Sequence, residues 1–368
     1  MVVVGAGPAG SLCAYHLARS GLPVLLLEKA YLPRRKACGG GLTPKAASLL
    51  PFSLQPVVEG EVREALLHLP GEVTLQIQWE RTVCFLVERE RLDAYLAEQA
   101  CRAGACLREG EEVTQIEEFR EAATLSTAGG TTYQAQLVIA ADGAYSVVAR
   151  SLGHLPPRHF ALACALAPPE EWAEKKGTIL IDLTAPPYGY GWIFPKSNHL
   201  NVGMVSFGTV CQLRPFWENF LTRHGLLGQP QMWLQAHPLA LAGEKREFGR
   251  GRIMLIGEAA GLVDPLTGEG LYAAFKLGEL AAGAVAEAGP GTQAAELYNQ
   301  LVQESVGREY HFARRLARLF YRFLPIIARY FALRPEKARY LWEFLFFGGY
   351  GELFRQVGAR YWEKLFSL

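Results

Sequence analysis

The chain has 368 residues, half of them hydrophobic and 20% charged. This is ordinary globular composition, with length enough for two domains and a well-buried core. A net charge of +1 carries no polyanion signature and speaks against nucleic acid as a partner. Seven scattered cysteines without a CxxC pair speak against a disulfide framework or a metal site, and no uncharged apolar run reaches transmembrane length.

The chain opens directly on a β-branched run, Val2–Val4, the composition of a buried parallel strand, so no signal peptide is expected. Gly5-Ala6-Gly7-Pro8-Ala9-Gly10 follows and fits G-x-G-x-x-G. One glycine makes the tight turn, one lets the backbone approach a pyrophosphate, and one lets helix and strand pack closely. Ala9–Ser20 reads as a helix stopped by Gly21, with its first turn aimed at the phosphates. Pro23–Leu27 is a second apolar strand ending on Glu28, where a carboxylate binds a ribose, with Lys29 beside it. This strand–turn–helix–strand–acid order predicts a dinucleotide site but does not separate NAD from FAD.

Arg34–Pro44, RRKACGGGLTP, cannot form a regular interior and suits a loop lying flat against a ligand, flanked by Lys36 and Cys38. Gly60–Val83 alternates in strand fashion and predicts an antiparallel sheet inserted into the nucleotide-binding domain. Val87–Gly104 reads as a helix with Arg89 at its start, and Cys106–Val138 as a short strand and a meander. Leu137–Gly143 is an apolar strand running into Asp142-Gly143, an acid at the carboxyl end of a parallel strand.

Thr178–Leu183 and Leu200–Phe207 read as strands around Pro186–Pro195, PPYGYGWIFP. There Tyr188, Tyr190, Trp192 and Phe194 stand two apart, so a strand would put all four rings on one side. Gly189, Gly191 and Ile193 would make a thin, approachable opposite face. Ile253–Ile256, Gly257-Glu258-Ala259-Ala260-Gly261, Asp264–Gly270 and a Leu271–Ala288 helix form a second strand–glycine–helix junction, suited to a ribityl or pyrophosphate group. A single NAD site rarely needs both junctions. Leu301–Leu368 holds 12 Lys/Arg against 6 Asp/Glu, interleaved with aromatics. Such a segment suits a bilayer surface or the mouth of a lipid channel, or a capping helical subdomain with solvated arginines.

Several distant segments then agree. GAGPAG with Glu28, Arg89-x-x-Leu92-Asp93-x-x-Leu96, Ala141-Asp142-Gly143 and Gly257–Gly261 resemble the FAD-dependent superfamily typified by para-hydroxybenzoate hydroxylase. Lys36–Gly41, PPYGYGWIFP and PLTGEG are similar to the geranylgeranyl reductase family within it, in order over most of Met1–Ala288. The family usually has Gly-Asp-Ala-Ala-Gly where this chain has Glu258, so an extra methylene must be accommodated.

The resemblance implies an α/β fold: a doubly wound FAD-binding domain (1–48, 83–152, 249–288), an inserted antiparallel substrate domain (49–82, 153–248) and a C-terminal helical region (289–368). It implies that Gly5, Gly7 and Gly10, with Pro8 and Ala9, cradle the FAD pyrophosphate. Glu28 would bind the adenosine ribose, and Arg89 would reach the phosphates or ribityl chain. Lys29, Lys36, Asp142, Gly143, Gly257 and Glu258 would contact FAD, and Gly268 and Gly270 would hold backbone beside its ring. The Cys38-Gly39-Gly40-Gly41 loop would approach from the substrate side.

The activity implied is reduction of carbon–carbon double bonds in a prenyl chain of a lipid, chlorophyll or quinone. An isolated alkene is electron-rich, so a proton must arrive before or with the hydride. Cys38 is the candidate relay for that proton. Tyr188, Tyr190 and Trp192 would stabilise cationic character by roughly 0.5–2 kcal/mol per contact. The competing readings are a flavin monooxygenase acting on an aromatic or prenylated quinone, and a lipid-binding flavoprotein without turnover. With no second dinucleotide fingerprint, NAD(P)H would dock transiently or reduced ferredoxin would donate. A cytoplasmic location is expected, peripheral at the membrane inner face through residues 308–340. The sequence leaves the oligomeric state open.

Overall fold

The computed structural model describes residues 1–155, 159–173, 175–208, 213–243 and 247–350. Cys211 and the end of the expected C-terminal region, 351–368, lie outside them.

Two sheets carry the architecture. The first has six strands in the order Gly249–Arg250, Ile253–Leu255, Val138–Ala140, Val2–Val4, Leu25–Glu28, Cys106–Glu109. Its pairings are parallel except for the first. Both faces are covered, which is why these strands read as unbroken apolar runs. Val3, Leu26, Ile139 and Met254 share one apolar cluster with Ala9, Cys13, Leu277 and Ala281 of helices Pro8–Arg19 and Leu271–Ala288. Val2, Val4, Leu27 and Val138 point the other way, into a meander built from Val113–Glu118, Ala123–Thr127 and Thr132–Ala135. Helices on one side and a meander on the other make this the mixed α/β, doubly wound fold expected from the sequence.

The second sheet has seven strands, ordered Gln231–Leu239, His159–Leu166, Leu200–Ser206, Gly189–Pro195, Thr178–Asp182, Glu64–Leu69, Val73–Gln78. All its pairings are antiparallel except Thr178–Asp182 with Glu64–Leu69. Here the Gly60–Val83 expectation needs correction. Val58–Val62 leaves this sheet and joins a small one with Gly41–Leu42 and Cys84–Val87. The segment thus divides between two sheets, and Glu64–Leu69 has a parallel neighbour.

One face of the large sheet packs Leu180, Ile193, Val202 and Met204 against Trp217 and Phe220 of helix Arg214–Arg223. Near the end of that helix, the fully buried Asp182 accepts from Thr184 N (2.8 Å), Thr184 Oγ1 (2.5 Å), Arg223 (3.2 Å) and His224 Nε2 (2.9 Å). This covering overturns the expectation of an approachable thin face. A Cβ on Gly191 would meet the Phe220 ring at 2.6 Å, so the glycine admits a helix side chain and not a ligand.

The other face, with Ile179, Ile181, Trp192 and Val205, looks towards the helices Arg308–Arg322, Leu324–Leu333 and Pro335–Phe347. No helix of the described residues is long and apolar enough to cross a membrane.

Candidate functional site

A cavity of about 820 Å³ runs from the first glycine turn to the C-terminal helices. Its lining changes along its length, from backbone and charge at one end to aliphatic and aromatic side chains at the other.

The polar end is built by the Val2–Val4 strand and the helix it feeds. Gly5 adopts φ +99°, and a Cβ on Gly10 would fall 1.9 Å from the Gly5 carbonyl oxygen, so this turn admits no side chain at either position. Gly7, Pro8 and Ala9 line the cavity above it. Glu28 closes the next strand, 3% exposed, and accepts from Ala6 N (2.8 Å), Ala30 N (3.1 Å) and Arg34 Nε (3.1 Å). Arg34 Nη2 adds a longer contact to Oε2 (3.4 Å), so a ribose hydroxyl at this carboxylate would take the place of that weakest partner.

Arg34 also reaches the fully buried Asp93 (3.1 Å). Arg89 grips the same carboxylate through Nε (2.9 Å) and Nη2 (3.1 Å). Sequence reasoning expected Arg89 to reach the FAD phosphates or ribityl chain. It lines the cavity, but Asp93 anchors its guanidinium.

Asp142 and Gly143 meet the cavity at the end of the Val138–Ala140 strand. Val147 N donates to Asp142 Oδ2 (2.8 Å), while Oδ1 is buried without a partner. Burial pushes this carboxyl above its ordinary value. An acceptor orphaned beside a cradle that a Cβ would fill is what an extended, hydroxyl-bearing cofactor satisfies, and FAD fits these residues.

Glu258 sits at the second junction, lining the cavity with Gly257, Gly268 and Gly270. Lys36 Nζ lies 3.1 Å from its Oε2 and His237 Nε2 lies 3.0 Å from it. Burial raises this carboxyl, but Lys36 and His237 outweigh burial and hold it well below the usual carboxylate range. Sequence reasoning missed His237, whose strand, Gln231–Leu239, lacks a clean buried alternation.

The Cys38–Gly41 loop crosses between the junctions. Gly40 has φ +68° and lies so close to the next strand that a Cβ would be 2.0 Å from Val87 O. Lys196, buried, donates to Val87 O (2.8 Å) and Gly40 O (3.4 Å). Asn201 Nδ2 donates to Cys38 O (2.9 Å) and receives Trp192 Nε1 at Oδ1 (3.0 Å), so the loop hangs from the aromatic strand. Gly40 N donates to Cys38 Sγ (3.3 Å).

Tyr190, Trp192 and Phe194 line the cavity, their rings in sequence 6.1 and 6.3 Å apart. Tyr190 donates its hydroxyl to Thr267 O (2.5 Å). Tyr188 does not join them. It precedes the strand at φ +51°, is 47% exposed, and meets Tyr321 instead. The stripe is therefore three rings long, and Tyr188 is removed from the candidate catalytic set. All the other candidate residues line the cavity except Gly10, which packs beneath it; Lys29, Lys36 and Gly39 lie along the wall. The apolar end, from Ile179 and Ile181 across to Phe320, Trp342 and Phe346, holds no charged side chain among these residues.

A twofold glycine cradle on a doubly wound sheet, beside an antiparallel sheet, defines an FAD-dependent oxidoreductase. A family model described as an FAD binding domain matches residues 1–162. The chain is 34% identical over 358 residues to a menaquinone reductase of Mycolicibacterium smegmatis, covering 89% of this chain and 86% of that one. It is 30% identical to a chloroplastic geranylgeranyl diphosphate reductase of Arabidopsis thaliana, over 78% and 65% of the two chains. A solved Thermoplasma acidophilum protein, geranylgeranyl bacteriochlorophyll reductase-like, superposes with a TM-score of 0.79 at 25% identity, covering 89% and 88%. A flavin-dependent brominase at 20% identity and TM-score 0.73 shares the fold alone. The chain belongs to the FAD-dependent geranylgeranyl reductase family.

Proposed function

We propose that this protein reduces carbon–carbon double bonds in the prenyl chain of a lipid-like substrate. The observation that carries this reading is the cavity that passes from the FAD cradle, under the Cys38 loop, into an aromatic and aliphatic room. The similar proteins are named for geranylgeranyl and menaquinone substrates, which share a prenyl chain.

FAD, when bound, supplies hydride. The chain supplies the rest. Gly5, Gly7 and Glu28 hold the dinucleotide, and Trp192 with the aliphatic wall excludes water around the alkene. Faces of Tyr190 and Trp192 stabilise cationic character as a proton arrives. Cys38 Sγ is the acid: it stands where the loop separates the polar from the apolar reach. NAD(P)H or reduced ferredoxin recharges the flavin, and stopped-flow bleaching with each separates them.

The basic, greasy helices from 308 to 340 hold the protein at the membrane inner face. Ile326 and Leu333 are 65% and 80% exposed beside Arg322, Arg329 and Arg334, the pattern of an interfacial helix.

The test is anaerobic incubation of dithionite-reduced holoenzyme with geranylgeranyl diphosphate, the product being weighed by mass spectrometry. Gain of two hydrogens per double bond is expected. In a parallel aerobic incubation, an oxygenated product with substrate-dependent oxygen consumption would place the chain among flavin hydroxylases instead. Colourless protein that takes up no FAD would leave only lipid binding.

A further inference from the structure

The Arg35–Cys38 strap has a cavity on each side. Behind it lies a second, polar cavity of about 320 Å³, and Arg35, Lys36, Cys38 and Arg89 line both. Exposed Ser197 and Asn198 stand at its outer edge. Inside it, Glu88 Oε1 and His199 Nε2 are buried, lack hydrogen-bond partners, and lie 3.4 Å apart. Lys196 Nζ is 3.8 Å from Glu88 on one side and reaches the Gly40 carbonyl of the Cys38 loop on the other.

Two polar atoms buried face to face without a hydrogen bond cost stability unless they are used, while the rest of the pair reaches outward: the Glu88 side chain is 22% exposed and His199 Nδ1 meets Asn198 Oδ1 at 2.8 Å. A cavity of this size and polarity holds water. Each saturated double bond takes up one hydride and one proton. If the proton leaves Cys38 Sγ for an alkene carbon, a thiolate remains and must regain a proton before the next double bond.

We propose that the rear cavity is the proton inlet of the active site, and that Glu88 and His199 return a proton to Cys38 through it. The inference rests on the reductase reading with Cys38 as acid. Glu88 and His199 touch no substrate and act through Cys38. The proton passes from the pair to the thiolate, and solvent at Ser197 and Asn198 replenishes the pair, so no further reactant is needed. The setting is consistent. Burial raises Glu88, with Glu59 and Glu90 adding and Lys196 and Arg91 opposing. Burial and Lys196 lower His199, against Glu59. The carboxyl and the imidazole are thereby drawn towards a common range, where one proton moves easily between them.

The test uses FAD-loaded full-length protein with excess dithionite and geranylgeranyl diphosphate, counting hydrogens gained against time. The pair is needed only to reload Cys38 between double bonds, so Glu88→Gln and His199→Gln should complete the first reduction at the wild-type rate. Later reductions should slow about tenfold or more, with a larger solvent isotope effect and a flattened pH profile. Glu88→Asp, and imidazole added to His199→Ala, should restore the later turnovers, which a purely structural role would not allow. In cofactor-free protein, Glu88→Gln should also move the pH dependence of iodoacetamide labelling at the Cys38 peptide. Wild-type later turnovers and unmoved labelling in both Gln variants, with Cys38→Ala still stalled at the first, overturn the inlet alone. Full activity in Cys38→Ala overturns the acid assignment and the inlet with it. Wild-type protein that adds no hydrogens overturns the reductase reading itself.

Discussion

Glu258 joins two basic groups that come from far apart in the chain, and its removal makes a quantitative test. Glu258→Gln keeps the volume and removes the charge that draws Lys36 (3.1 Å) and His237 (3.0 Å) together. A hydrogen bond to a charged group is about twice as strong as a neutral one, so the loss at neutral pH is about 1–3 kcal/mol. Unfolding entropy of about 2.1 cal/mol/K per residue converts each kcal/mol to roughly 1.3 °C in a chain this long, hence a fall in Tm of about 1–4 °C. The sign with pH follows from the depressed carboxyl. Its stabilisation is complete above the ordinary glutamate range and is lost as pH falls towards the lower folded value. Within that window the loss is up to about 1.4 kcal/mol per pH unit. The gap between the melts of the two proteins should therefore hold from about pH 7 to 5 and close progressively from about pH 4 downwards. A gap that stays constant, or widens, below about pH 4 would refute the argument that ion pairing dominates this site.

Gly10→Ala places a Cβ 1.9 Å from the Gly5 carbonyl oxygen; the purified protein should be colourless, as read by flavin absorbance per mole. Asp182→Asn should cost about 1–3 kcal/mol in urea unfolding at neutral pH, because it removes the charge and an acceptor from the buried group that Thr184, Arg223 and His224 all contact. Since the Asp182 carboxyl is lowered to about 2, burial notwithstanding, that difference is present above about pH 4 and shrinks as pH falls towards 2. Trp342→Ala enlarges the apolar end of the cavity and should shift competition between geranyl and geranylgeranyl substrates several-fold towards the longer chain. An unchanged ratio would mean the chain does not lie against that helix.

What could be read from the sequence was what is local. The Val2–Val4 strand, the glycine turn, the first helix and Glu28 are consecutive, and each rests on a backbone demand that a residue type announces. The Leu271–Ala288 helix emerged with those bounds for the same reason. Tyr188 failed because period-2 spacing assumes a strand already running, whereas the chain is still turning there at positive φ. The thin face at Gly191 failed because spacing tells which residues share a side and not what covers it; Phe220 comes from a helix 29 positions on. Glu64–Leu69 and Val58–Val62 both alternate, and nothing in alternation tells a strand which sheet to join.

Glu258 shows the same limit most sharply. Against the family's usual aspartate it reads as an intrusion that must be accommodated beside a cofactor. In the folded chain it is a matter of reach. Its carboxylate spans from Lys36, 222 positions away on the glycine loop, to His237 on the edge strand of the other sheet. An aspartate's carboxylate would sit one methylene shorter, and Lys36 and His237, which meet the same oxygen Oε2, would both have to follow it to keep contacts near 3 Å. The longer acid thus ties the Lys36 loop, the second glycine junction and the large antiparallel sheet together at the cavity wall. Glu258→Asp should accordingly loosen Lys36 and His237 while leaving Glu28 and the first glycine turn intact. Hydrogen exchange confined to the Lys36 loop and the Gln231–Leu239 strand would show that; exchange spreading to the Pro8–Arg19 helix would mean the acid supports the cofactor cradle directly.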